Sequence, residues 1–111
     1  MSLKQSDYFK IIVTVPLEAA DKVREAMAEA GAGKQGDYDS CSFSSRGVGR
    51  FRPLTGANPT VGEINKLEEV EEEIIQTICH KDLIEKVITA IKSAHPYEEP
   101  AIDILPRYEI K

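Results

Sequence analysis

Tryptophan is absent from this chain, cysteine occurs only twice, and no apolar run approaches the roughly 20 residues that cross a bilayer. The missing apolar run excludes a spanning helix, and the opening MSLKQSDYFK lacks the apolar stretch of a secretory signal. A cytoplasmic location without a membrane partner is therefore expected. Cys41 and Cys79 show no C-x-x-C spacing, so two small free thiols are expected rather than a disulfide. Basic residues are the minority, fourteen against nineteen acidic, for a net charge of -5. No field of that sign draws a protein to phosphate backbones, and no nucleic-acid partner is expected.

What is present suffices for one domain. A chain of 111 residues, 41% apolar and 30% charged, can bury a single core but not two, and the expectation is one unit over residues 1–111 with its core at about 8–108. Tyr8 to Val15 is β-branched and aromatic, with Phe9, Ile11, Val13 and Val15 on one side of a two-residue alternation and Ile12 on the other. Pro16 stops that strand. Leu17, Ala20, Val23, Met27 and Ala30 then recur at helical spacing up to Gly31, a left-handed stop. A second strand is expected from about Asp37 to Phe51, followed by PLTGANPTVG as the projecting loop of a long hairpin.

The segment EINKLEEVEEEIIQTIC fits both periods; its β-branched end and its place after a hairpin loop favour strand. Asp82, with Glu85 three residues on, is the expected cap of a second helix whose buried face is Ile84, Val87, Ile88, Ile91 and Ala94. Proline disfavours helix in the residue before it, so His95 ends that helix, and PAIDILPRYEI resumes strand alternation. The order βαββαβ predicts an α+β, ferredoxin-like sandwich: one antiparallel sheet with both helices on a single face. The opposite face, carrying Ile12, would be left wet, which predicts a homo-oligomer, dimer or trimer.

Several motifs invite a chemical reading. Gly31, Gly33 and Gly36 match G-x-G-x-x-G, but a helix precedes them and a strand follows, the reverse of a dinucleotide cradle; chain reversal is expected and no cofactor. The run Glu68, Glu69, Glu71, Glu72 and Glu73 alternates faces on a strand and reads as a solvated edge. Cys41, Cys79, His80 and His95 form no metal-ligand pair at helical spacing, and no catalytic residue is assigned. The stretch AHPYEEPAID gathers the strongest candidates. His95, Tyr97, Glu98 and Glu99 stand on a short turn between two prolines, where they either shape the corner or bind a small ligand or protein partner.

The same stretches carry a resemblance: Gly-Asp-Tyr at 36–38, Cys-Ser-Phe at 41–43, Gly-x-Gly-x-Phe-x-Pro at 47–53, Gly-Ala-x-Pro at 56–59 and His-Pro-Tyr-Glu-Glu at 95–99. Together they resemble the inserted, CutA- and PII-like domain of the Ngg-one-interacting factor three family, over residues 8–106. In larger members this domain interrupts a domain holding two metals, sometimes labelled a cyclohydrolase. Those flanking halves have no counterpart in this sequence, so the resemblance implies a stand-alone, non-catalytic module that self-associates, without the metals. It leaves two further readings: a CutA-like divalent-metal protein using His95, Glu98, Glu99 and Cys41 or Cys79, and a small hydrolase.

Overall fold

The computed structural model describes residues 1–110. Alternating β-branched residues build the first long strand, β2 (Tyr8–Pro16), preceded by a short β1 (Leu3–Gln5). Pro16 ends β2 and leads through a single 3-10 turn into α1 (Ala20–Glu29). Gly31 closes α1 at φ 108°, a conformation that requires glycine, and a β-carbon there would also press on the end of the Leu83 side chain. β3 (Phe43–Phe51) and β4 (Glu68–His80) form the hairpin, α2 (Ile84–Ala94) crosses back, and β5 (Ile102–Leu105) and β6 (Tyr108–Ile110) finish the chain.

Four strands pair antiparallel in the order β3-β4-β2-β5. β2 and β3 therefore run parallel to each other, as do β4 and β5, and each such pair is joined through a helix. The result is the expected α+β sandwich. Ile11, Val13 and Val15 of β2 and Ile75 and Cys79 of β4 are fully buried against Ala20, Val23, Met27, Val87 and Ile91 of the helices. Each such aliphatic side chain contributes about 1.5–3 kcal/mol by leaving water. Among the described residues no helix is long and apolar enough to cross a membrane.

Several boundaries differ from expectation. Residues 37–42 are not strand: a bridge between Gln35 and Tyr38 and bonds linking Gly33 to Ile78 and Cys41 hold this stretch as turns. The last strand breaks at Pro106, which has no N–H for the ladder, and β6 pairs with β1 in a separate two-stranded ribbon. The helix entry is held by His80, whose Nδ1 accepts from the Asp82 amide at 3.1 Å; the Asp82 side chain is not the cap. The acidic run is a solvated edge only over residues 68–71, which pair with β3 alone; at Glu72 and Glu73 the strand becomes interior, with β2 on its other side.

Candidate functional site

Pro96 pushes His95 out of helical conformation, to φ -77° and ψ 135°, and α2 stops there. Beside it, β2 outruns its neighbour: β5 pairs no further than Ile102 with Val13. The Thr14 carbonyl at that edge would lack a strand partner. His95 supplies one, its Nε2 lying 2.7 Å from Thr14 O, while its Nδ1 accepts from the Tyr97 amide at 3.1 Å. A carbonyl can only accept and an amide can only donate, so these bonds select the tautomer with its proton on Nε2. At 6% exposure, the ring is a buried corner piece with both nitrogens engaged.

The corner carries Tyr97 to a position beside Phe51 of β3, with ring centroids 5.6 Å apart. The hairpin loop doubles back onto the same turn. Thr60 donates its hydroxyl to Pro96 O at 2.7 Å, and the Asn58 amide donates to Glu98 at 3.2 Å. The loop is thus tied down as a strap, where the sequence predicts a projecting tip.

Between strap, turn and sheet lies a groove of about 540 Å³. Its walls are largely apolar, including Phe51, Pro53, Val61 and Ile74, with Arg50, Arg52, Glu98 and Glu99 among its polar lining. Glu72 lines it too, though this side chain is only 7% exposed. Gly47 stands opposite Glu72 on β3, and its missing β-carbon leaves open space. Gly49 is tighter: a β-carbon there would collide with the Glu72 carboxylate, so glycine is what lets that group lie across the strand.

The Tyr97 hydroxyl is buried and makes no hydrogen bond of regular geometry. Burial, and then the adjacent Glu72 carboxylate, hold this phenol above its ordinary value, with the charge of Glu18 adding a little. The two groups are neighbours rather than a well-formed pair. Of the four sequence candidates, Tyr97, Glu98 and Glu99 line the groove, while His95 sits behind the turn and supports it. Sequence reasoning missed Glu72, hidden in a run of five glutamates. The signal that could have found it was parity with the glycines of β3.

A second groove, of about 430 Å³, lies on the helix side and is lined by Arg24, Cys41 and Thr77 among others. Its two innermost polar side chains are engaged: Arg24 bonds Asp21, Ser44 and Glu73, and Thr77 bonds Cys41 O. Cys41 and Cys79 are free thiols, and burial raises the pKa of Cys79. Among the described residues no three His, Cys, Asp or Glu side chains converge as a metal site.

No protein-family model matches the chain. It is 47% identical over 97 residues to a GTP cyclohydrolase 1 type 2 homolog of Bacillus subtilis, an alignment taking in 87% of this chain and 26% of that protein. The homolog from Mycobacterium leprae is 45% identical over 95 residues, 86% of this chain and 25% of the other. A solved Bacillus cereus protein related to NIF3 superposes with a TM-score of 0.79 at 42% identity, over 96% of this chain and 27% of that one. CutA1 from Pyrococcus horikoshii superposes at 0.67 with 21% identity, covering 93% of this chain and 86% of its own, a likeness of fold alone. The chain is homologous to a portion of the NIF3-related GTP cyclohydrolase 1 type 2 homologs, and spans about a quarter of their length.

Proposed function

We propose that this chain is a non-catalytic, self-associating binding module whose ligand enters the groove between strap and turn. One observation carries the reading: a nearly buried carboxylate faces that groove beside the buried Tyr97 hydroxyl and receives no cation from any described residue, an arrangement that costs stability unless something occupies it. Homology to a quarter of the longer relatives supports a module rather than the activity in their name. Self-association is supported by the sheet face away from the helices. There, away from the groove, Phe43 is 69% exposed, and Ile12 and Ile78 are only half-buried.

A divalent-cation reading, prompted by CutA neighbours described as divalent cation tolerance proteins, has less support. His95 has both ring nitrogens engaged, and Glu98 accepts from a strap amide. The test is mass in solution by light scattering, together with amide NMR of the ¹⁵N-labelled chain titrated with small molecules of each charge class. An oligomer whose Tyr97, Glu98 and Glu99 resonances move on titration is expected. A monomer in which no compound moves those resonances would end the proposal.

A further inference from the structure

We infer that the groove recognises an organic cation, a primary ammonium or guanidinium group on an apolar stem, held between the Glu72 carboxylate and the Tyr97 hydroxyl. This rests on the binding reading above and adds the chemistry of the ligand. Glu72 is buried to 7% exposure and receives no cation from any described residue. The nearby cations are placed elsewhere. Arg24 pairs with Glu73, and Arg50 pairs with Glu69 at 3.3 Å. Arg52 is exposed in the lining and pairs with no described residue.

Tyr97 Oη lies beside that carboxylate and makes no bond of regular geometry with any described residue, and the two together discriminate between ligand classes. An anion would be repelled by the carboxylate. A neutral hydroxyl can donate to the carboxylate and accept from the phenol, but it leaves the buried charge without a counter-charge. A group with several N–H donors and a positive charge satisfies both at once, through hydrogen bonds strengthened by charge. The space agrees: Gly47 leaves room beside Glu72, and Phe51 and Tyr97 place two aromatic rings in the lining. Phe51, Pro53, Val61 and Ile74 supply the apolar wall for a stem, in a volume that suits a small organic molecule.

The experiment titrates the full chain with n-hexylammonium, n-butylguanidinium, n-hexanol and n-hexanoate at constant ionic strength, read by calorimetry and by amide NMR. Either cation is expected to bind at least about tenfold tighter than the alcohol, the scale of a hydrogen bond to a charged group. Hexanoate is expected not to bind. Glu72→Gln should reduce cation binding to the level of the alcohol while the variant melts no lower than wild type. Tyr97→Phe should weaken cation binding by a smaller factor.

Equal binding of alcohol or carboxylate, or cation binding that survives Glu72→Gln, overturns the inference while leaving a binding module in place. Three further results would also overturn it. Arg52→Gln lowering the melting temperature of the free protein would make Arg52 the native partner of Glu72. Dissociation of an oligomer by Glu72→Gln would make the occupant a second copy. Silence of every probe at Tyr97, Glu98 and Glu99 would remove the binding reading as well.

Discussion

Glu72 and Glu73 follow one another on β4, so the pleat sends one to each face of the sheet. Glu73, paired across the hairpin with Arg46, faces the helices; its side chain is 16% exposed and receives the Arg24 guanidinium at 2.8 Å. That guanidinium also reaches Asp21 and Ser44, and the carboxylates, Glu73 first, raise its pKa. Glu72 is buried more deeply and faces the groove without a cation from any described residue. The same side chain, one residue apart, is closed into a network on one side and left open on the other. A charge buried with its partners positions α1 on the sheet; a charge buried without them costs stability, which points to a role outside folding.

The largest way to test that contrast is through the apolar neighbours next along the strand. Ile75→Ala, in the closed core, is expected to cost about 3 kcal/mol in urea unfolding, and Ile74→Ala, at the groove, about 1 kcal/mol. Equal losses would mean that the two faces are packed alike. Arg24→Met should cost about 2 kcal/mol: it strands Glu73, but the partial exposure of the pair leaves room for water to compensate. Glu72→Gln should move the other way, gaining about 1 kcal/mol at neutral pH. A loss there would show that the carboxylate has a partner within the fold.

The smallest effect concerns pH. A phenol whose pKa is raised on folding keeps more protons in the native state than in the unfolded chain, so its contribution is complete below the ordinary value of 10.0 and fades as pH rises above it. Cys79 acts in the same direction above its ordinary 9.0. Tyr97→Phe should therefore lose less stability than wild type between pH 9 and 11. The difference should be below about 1 kcal/mol, since the ring is only partly buried. Chemical unfolding at those pH values gives the comparison, and identical slopes would remove Tyr97 from the alkaline titration.

The helices and β2 were legible because their periods were strong, whereas β4, which fits both periods, was legible only from its β-branched end and its place after a hairpin loop. Ile11, Val13 and Val15 had to share a face, and Val87 and Ile91 had to share another. The terminal ribbon was not legible: Leu-Lys-Gln and Tyr-Glu-Ile are three residues each, and their pairing is a tertiary fact. The same holds for Ser40, at φ 59°, inside what alternation reads as strand. At the site, the turn 95–99 announced itself by its prolines. Its correct partner, a strand glutamate beside Gly49, emerges only when the register Gly47 to Glu72 is known.

That terminal ribbon places Leu3 directly across from Ile110. Antiparallel partners have α-carbons about 4.5–5.5 Å apart. Polypeptide arriving before the first of these residues and departing after the second would pass through nearly one point. The unit could therefore be spliced into a surface loop of a larger host without prying the host open. A donor and acceptor dye fused to either side would report close proximity for as long as the sheet stays folded.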